Sequence, residues 1–441
     1  MGIYMKKQNT HQLFKFLFGV LLALIFVRYV LQIAFPWEIL LALVAIIAVL
    51  GDRDEIIAMC VCCVPLYTSL QYIYALLICM VFYAVKFRED LRIDGGIFPV
   101  IVMLVWELLH CFDPYSSVLG GIRALVPLIF CTFLMFCPRE QISYPFVVRS
   151  FAFCVAGMCL IVLSKLLAAS GFNVAQAFAN MQRLGTASEN AEVIGADFNP
   201  NFLGFVCIIA STGLLQLKIS GQSRKYDMAY IAFLLLCGLL TLSRTFLVCL
   251  ALMAVLFILT NRNNIGKALK MTGGVLVAVL AVCLVMLAAF PNMIENWIAR
   301  FQVADITAGR LDLMALFHKR IFEAPDIYLF GIGIQSVTAK VIARFGAGKI
   351  LGTVVPHNAV QEMVFCWGIP GLLLMIIFLC TLVTSAKRKN PNARLINYIP
   401  LILLLVKIQA GQLLTTPSNM LIIALTYLSM CYPFYIENRK E

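Results

Sequence analysis

The sequence predicts an all-α membrane protein, a polytopic bundle of transmembrane helices with a helical loop on one side. The chain of 441 residues is 62% hydrophobic and only 13% charged, whereas soluble domains average about 25% charged residues. Apolar runs of about 20 residues, long enough to cross about 30 Å of hydrocarbon, recur along its length. Because a bilayer offers no water to satisfy backbone groups, such runs must form helices.

The apolar runs give a provisional list of spans. The pair at 55–69 and 72–86 could equally be one long span or a re-entrant element, so we expect 12 to 14 spans. The candidate spans are 13–33, 37–51, 55–69, 72–86, 96–112, 118–137, 146–170, 200–217, 227–242, 244–260, 271–290, 357–384, 396–414 and 418–435.

Lys and Arg gather in the short loops, which predicts that both termini and these loops are cytoplasmic. Two longer loops, 171–199 and 291–356, then lie on the outer side of one membrane domain that covers residues 1–441. The net charge of +12 follows this loop pattern and does not indicate a nucleic-acid partner. The sixteen cysteines lie in or beside apolar runs, where free Cys serves as a small packing residue.

The long outer loop carries its own structural signals. Apolar residues at helical spacing predict a helix from Thr307 to Phe322, with His318 packed on its apolar stripe. A tight turn is expected at Gly331–Gly333. The segment Cys366–Gly371 contains Pro370 and is expected to kink the following span.

Five spans each carry one cation toward the predicted outer side. Arg28 and Arg123 lie near span ends, where snorkelling to headgroups is an alternative explanation. The same alternative holds for Arg244, at the outer edge of its span. Lys165 lies in the outer half of its span, and Lys407 lies deeper, about two turns from the nearer end of its span. A charge within a span usually faces a bundle interior or a watery cavity. This excess of positive charge predicts an anionic ligand, for which a lipid-linked phosphate or diphosphate is the natural candidate.

Four short motifs occur in order on the predicted outer side. They are Asn199-Pro200-Asn201, Ser243-Arg244-Thr245, Gly309-Arg310 heading a loop helix with Gly331-Ile332-Gly333 after it, and Pro356-His357-Asn358 opening a span. Together they resemble the O-antigen ligase/polymerase family of bacterial envelope glycosyltransferases. The resemblance is strongest over about 195–385.

The resemblance implies a membrane glycosyltransferase of GT-C-like architecture that acts on glycan linked to undecaprenyl diphosphate, without metal, nucleotide sugar or other cofactor. By motif match, Arg244 and Arg310 bind the donor diphosphate, and His357 acts near the acceptor hydroxyl. Asn201 and Asn358 are weaker candidates for substrate contact. The cations Arg28, Arg123, Lys165 and Lys407 complete the predicted substrate-binding set.

The residue types suit this chemistry. A departing diphosphate needs fixed charge, which Arg supplies in a poorly solvated site. An incoming sugar hydroxyl needs a base, and a neutral His is suited to that role. A helix start disfavours imidazolium, which would keep His357 in the base form. A lone interfacial His is otherwise more often structural. For His110 and Glu107, three residues apart, we favour a structural polar contact.

Three functions remain open. We favour a polymerase that joins lipid-linked repeats into a capsule, exopolysaccharide or O-antigen, in a bacterial cell membrane with its active site outside. A ligase that moves a finished glycan to another acceptor is the nearest alternative. A flippase for the same lipid-linked glycan would also need many spans, but it predicts charges along the whole path and commonly repeated halves. A partner that sets chain length is compatible with the polymerase.

Overall fold

The structure, a computed structural model, describes residues 2–67, 69–93, 95–138, 142–179, 183–185, 199–260, 310–345, 356–409, 411–414 and 417–434, and four single residues between 261 and 309. The described part is helical and contains no strand. The helices are α1 (Gly2–Tyr29), α2 (Glu38–Leu50), α3 (Arg53–Cys62), α4 (Tyr72–Lys86), α5 (Ile97–Leu109), α6 (Val118–Phe136), α7 (Tyr144–Ala169), α8 (Val174–Ala179), α9 (Pro200–Ile219), α10 (Asp227–Leu240), α11 (Arg244–Thr260), α12 (Arg310–Glu323), α13 (Pro325–Leu329), α14 (Val337–Phe345), α15 (Ala359–Lys389), α16 (Leu395–Ile408) and α17 (Pro417–Cys431).

These helices confirm the all-α, polytopic membrane class. Among the described residues, five segments are long and apolar enough to cross a bilayer, and seven shorter apolar helices accompany them. The predicted span at 271–290 lies outside the described residues. Helix α3 has ten residues and so covers about 15 Å, half the hydrocarbon thickness. It is buried by its neighbours along most of its length, as a re-entrant element would be.

Contacts between neighbouring helices fix which helix ends lie together. Tyr144 at the start of α7 donates to Gln216 near the end of α9, so these helices are antiparallel. Near the end of α15, Lys389 donates to the carbonyl of Met135, in the last turn of α6, at 2.8 Å. We call the end of the bundle at which α6, α9, α11 and α15 begin the upper end, and the opposite end the lower end.

Helix α9 forms the centre of the bundle. Every residue from Phe202 to Leu217 is buried. Two glycines allow neighbouring helices to approach closely: a Cβ on Gly204 would lie 2.8 Å from Thr241, and one on Gly213 would lie 2.8 Å from Val148. All but two of the described cysteines, Cys111 and Cys380, are buried, and none of the described cysteines forms a disulfide. The interpretation of cysteine as a packing residue is therefore confirmed for this part of the chain.

The predicted kink of α15 is confirmed and lies at Gly368, whose φ of 67° and ψ of −173° interrupt the helix. Pro370 follows and has no N–H to offer the carbonyl of Cys366 four residues earlier. The break therefore leaves carbonyl groups without helical partners. One of them, on Trp367, accepts from the indole N–H of Trp106 in α5 at 3.0 Å.

The Gly331–Gly333 turn satisfies two more of these carbonyls. The N–H of Ile332 donates to Phe365 at 3.1 Å, and that of Gly333 donates to Cys366 at 2.7 Å. Gly331 has a φ of +78°, and a Cβ on it would lie 2.3 Å from the backbone of Cys366. Only glycine fits here, so the tight turn predicted from sequence serves to dock the loop onto the kink.

Helix α12 was predicted from 307 to 322, and it occupies Arg310–Glu323 in the described part. The predicted burial pattern is wrong. Among the α12 side chains that the structure describes, Phe317 is buried, with its ring 5.1 Å from that of Phe365, whereas Leu311 and His318 are exposed. Consecutive helical residues point about 100° apart, so docking through Phe317 turns His318 away from the contact. His318 is therefore not the packed residue that the sequence suggested.

Candidate functional site

The head of α15 contains the motif Pro356-His357-Asn358. The side-chain oxygen of Asn358 accepts from the N–H groups of Val360 and Gln361 at 3.0 and 3.1 Å, which caps the helix. Its amide donates to the carbonyl of Gln409, just after α16, at 3.1 Å. His357 precedes the cap and is half-buried. The motif therefore begins a helix, as predicted, and sets His357 beside the upper end of α16.

The next residues of α15 form hydrogen bonds with two other segments of the chain. Glu362 is fully buried and accepts from the N–H of Leu414 at 3.0 Å. The side chain of Gln361 donates to the carbonyl of Met314 in α12 at 2.9 Å. Met314 lies one turn after Arg310, so the start of α12 lies beside the start of α15. The backbone thus brings Arg310 close to His357; the side chain of Arg310 lies outside the described part.

Lys407 is 7% exposed, although it lies in an apolar helix. Its ammonium donates to the side-chain oxygen of Asn419 at the start of α17 and lies 5.2 Å from the ring centre of Phe205 in α9. Phe205 is one turn beyond Asn201 in α9. Lys407 thus faces the bundle interior, as predicted for a charge deep in a span, and it lies near the upper end of α9.

Asn201 is linked to the α10–α11 turn through an arginine that sequence reasoning did not select. Arg183 donates through Nη2 to the side-chain oxygen of Asn201 and through Nε to the carbonyl of Thr241, both at 2.9 Å. Arg183 belongs to the predicted outer loop 171–199 and has no helical periodicity around it. The one feature of the sequence that could have indicated Arg183 is its positive charge in a loop predicted to lie on the outer side. Asn199 caps α9 by accepting from the N–H of Asn201 at 2.9 Å.

Arg244 is the first residue of α11 and is half-buried. Leu242, with a φ of 50°, forms the sharp turn before it, and Ser243 caps the helix by accepting from the N–H of Phe246 at 3.3 Å. A glycine in α10, Gly238, leaves room for the ring of Phe246. This close packing fixes the direction in which α11, and with it Arg244, begins at the upper end.

Contacts between helices thus bring the main predicted site residues to the upper end; the helices involved are α9, α11, α12, α15 and α16. We call this group of residues the cationic site. Arg28 and Arg123 also lie toward this end but contact other partners. Arg123 donates to the hydroxyl of Tyr74 at 2.6 Å, and Arg28 lies 5.6 Å from the ring centre of Phe35. Lys165 lies near the upper end of α7 and is half-buried. The gathered residues are Asn201, Arg244, His357, Asn358 and Lys407, with Arg310 at the head of α12.

Glu107 and His110 are structural, as predicted, although they do not bind each other. Glu107 is fully buried and accepts from the indole N–H of Trp367 at 2.7 Å and from the N–H of Ile334 at 3.1 Å. The two ring nitrogens of His110 lie 2.9 Å from the carbonyl oxygens of Trp106 and Phe330. Both side chains therefore hold the loop around Gly331–Gly333 against α5 and α15.

One group in the described part of the chain has metal-ligand geometry, and it lies at the lower end. The ligand atoms of His11, Asp52 and Asp54 all lie within 4.8 Å of one another. Each already has a local role: His11 pairs with Glu55 at 3.0 Å, Asp52 caps α3, and Asp54 accepts from the N–H of Ser143. These contacts are sufficient to explain the cluster as structural.

The cationic site is suited to binding an anion. The helices α9, α11, α12 and α15 begin there, and a helix start carries partial positive charge and free N–H groups. Arg244 and the buried Lys407 add formal charge. His357 supplies a group that can accept a proton near pH 7. The arrangement can hold a phosphorylated group while a neighbouring hydroxyl is deprotonated.

The comparison with known proteins agrees with this chemistry. Residues 229–376 match the family model described as O-antigen ligase. The matched range includes α10 to α14 and the first part of α15, and hence Arg244, Arg310 and His357. Asn201 and Lys407 lie outside it. A search of curated proteins found no match to the chain.

Proposed function

On the premise that residues 229–376 match the family model described as O-antigen ligase, we propose that this chain polymerises lipid-linked oligosaccharide repeats. The family match supports a membrane glycan-processing enzyme of the ligase/polymerase family. The proposal adds the reaction: one growing glycan is transferred from undecaprenyl diphosphate to a hydroxyl of the next lipid-linked repeat. The product is a surface polysaccharide, such as a capsule, exopolysaccharide or O-antigen.

The observation that carries the proposal is that positive charge and several helix starts lie at the same end of the bundle as His357. Arg244 and Arg310 lie at the first residues of two of these helices, and Lys407 is buried between α16 and α9. A charge buried within a span is expensive, and it usually marks a functional site. Negative charge develops on a diphosphate leaving group as it departs. Fixed positive charge therefore stabilises the transition state more than the bound substrate, and this difference speeds the reaction.

The proposed step needs no group beyond these. His357 accepts the proton of the acceptor hydroxyl while that oxygen bonds to the anomeric carbon of the donor glycan. The bond from this carbon to the diphosphate breaks, and its electron pair leaves with the lipid diphosphate. Arg244, Arg310 and Lys407 stabilise the charge released. General-base catalysis of this type contributes about 10²–10⁴-fold in rate.

The sidedness is part of the proposal. Basic side chains line the lower end, among them Arg53, Lys86, Arg149, Lys218 and Lys389. The positive-inside rule then makes the lower end cytoplasmic and the upper end external. A cationic site at the upper end would act on lipid-linked glycan that has already crossed the bacterial cell membrane. Such a polymerase could also work with a partner that limits chain length.

The ligase is the closest alternative, because it would share the donor site and differ in its acceptor. The flippase is less well supported. A flippase would need charge along a path between both faces, whereas the buried Lys407 and the half-buried Arg244 lie at the same end of the bundle.

Polymer formation in purified membranes tests the proposal. Undecaprenyl-diphosphate repeats would be supplied to wild type and to Arg244→Ala, Arg310→Ala and His357→Ala, each matched for membrane abundance. His318→Ala, an exposed histidine on α12, is the matched control. We expect a ladder of products for wild type and the control, and none for the three variants. A single transfer to a different acceptor would favour the ligase instead, and unchanged ladders in the variants would refute the assigned roles.

A further inference from the structure

A cavity at the lower end of the bundle has no part in the proposed reaction. It has a volume of about 600 Å³ and lies between α1, α7, the end of α9 and the start of α10. Its size falls within the range of ordinary small-molecule sites. The cationic site is at the opposite end, so the two sites are separated by the thickness of the bundle.

One part of the cavity wall is apolar and reaches the lipid-facing surface. Phe14 and Phe18 of α1 lie on one side, and Phe153 of α7 and Leu214 of α9 lie on the other. Phe153 is 39% exposed, and on α1 the neighbouring Phe16 is 65% exposed. In a membrane these exposed rings would meet acyl chains, which places lipid beside the apolar part of the cavity wall.

The other part of the wall is basic. Lys15, Arg149 and Arg224 line it. Arg149 is neutralised, because its guanidinium binds the buried carboxylate of Asp227 at 3.1 Å. Lys15 and Arg224 are exposed, and in the described part of the chain neither forms an ion pair with an acidic side chain. Arg224 donates to the hydroxyl of Tyr226, which also lines the cavity, at 2.7 Å.

From this combination we infer that the cavity binds an anionic phospholipid of the adjacent leaflet. The phosphate would lie between Lys15 and Arg224, and the first part of the acyl chains would lie along Phe14, Phe18 and Phe153. Charge complementarity selects an anionic headgroup, and basic pockets between membrane helices commonly bind such headgroups. A free phosphate ion would leave the aromatic wall without a function.

The bound lipid would also join α1 to the rest of the bundle. Lys15 belongs to α1 and Arg224 to the α9–α10 connection, so a shared phosphate links two segments that are distant in sequence. Anything that binds only the folded state raises apparent stability by mass action. Anionic lipid should therefore stabilise the full chain, and it should protect the part of α1 that contains Lys15.

The test compares purified full-length protein in detergent with added phosphatidylglycerol, phosphatidylcholine or inorganic phosphate. Native mass spectrometry would count retained lipid, and thermal unfolding would report stabilisation. The variant is Lys15→Gln with Arg224→Gln. The matched control is Lys218→Gln with Lys387→Gln, which removes two exposed lower-end charges outside the cavity.

We expect phosphatidylglycerol to be retained and to raise the Tm of wild type and control. At about 1 kcal/mol for each basic residue near a headgroup, the cavity variant should bind it about 30-fold more weakly. Equal effects of phosphatidylcholine, stabilisation by inorganic phosphate alone, or equal retention by the cavity variant and the control would each overturn the inference. None of these outcomes depends on glycan transfer, so the proposed function is tested separately.

Discussion

Removing the carboxylate of Glu107 should weaken the docking of the loop around Gly331–Gly333 onto the kinked helix α15. This side chain is fully buried and accepts from the indole N–H of Trp367 at 2.7 Å and from the N–H of Ile334 at 3.1 Å. Both donors are themselves buried. Glu107→Leu leaves the two donors unpaired, at about 1–3 kcal/mol each, or roughly 2–6 kcal/mol together. Recovery of the desolvation cost of the carboxylate offsets part of this loss, so we expect about 2–4 kcal/mol.

Glu107→Gln should cost less, because the amide oxygen can take the place of Oε2, which accepts from both donors, and only the charge is lost. Thermal unfolding of the purified protein in detergent measures both changes. Glu89 is exposed, and Glu89→Leu and Glu89→Gln provide the same chemical changes without buried donors. We expect the Tm order wild type, Glu107→Gln, Glu107→Leu, with the Glu89 variants equal to wild type. A Glu107→Leu protein that melts with wild type would refute the account of loop docking.

Three further outcomes are expected. Gly331→Ala should lower both Tm and activity, since its Cβ would lie 2.3 Å from backbone atoms of α15; wild-type melting would contradict this. Lys407→Met should lower the Tm only slightly, because loss of the hydrogen bond to the buried Asn419 is offset by the desolvation cost of the ammonium that is recovered. It should raise the KM for the lipid-linked donor, and an unchanged KM with a strongly lowered Tm would make Lys407 structural. Hydrogen bonding from Arg344 lowers the pKa of Asp326, so their contact should be present at neutral pH and be lost as the pH falls below the ordinary Asp value of about 3.9. Both side chains are more than a third exposed, so Asp326→Asn should lower the free energy of unfolding by under about 1 kcal/mol at pH 7. Hydrogen exchange in α14 measures this change. Exchange in the variant equal to that of wild type at both pH 7 and pH 3 would show that the contact contributes nothing.

The helix class and most helix positions could be predicted from sequence, because the property that makes a segment span a bilayer is contained in that segment alone. A bilayer demands a continuous apolar run, and the composition of the run reveals it. The α15 kink was predictable for the same reason, since Pro370 removes a backbone donor wherever it lies in a helix. The glycine turn was also visible, but its partner on α15 was not.

The features that the sequence did not predict depend on contacts between segments that are distant in the chain. The burial pattern of α12 depends on which face meets α15, and the sequence of a short amphipathic helix does not contain that information. Phe317 and His318 are adjacent, and docking through Phe317 decided which was buried. Arg183 was missed because its role depends on folding a loop back onto Asn201 and the carbonyl of Thr241. The cationic residues of the spans were found because charge is rare there.

The most direct test of the central claim follows the lipid diphosphate itself. Purified protein in vesicles would receive lipid-linked repeats labelled in both the glycan and the lipid, and the two products would be quantified together. We expect each glycan bond formed to release one glycan-free lipid diphosphate in wild type, and neither product to form with His357→Ala. Lipid-linked glycan that crosses the bilayer intact, with no lipid diphosphate released, would contradict the claim and identify a transporter.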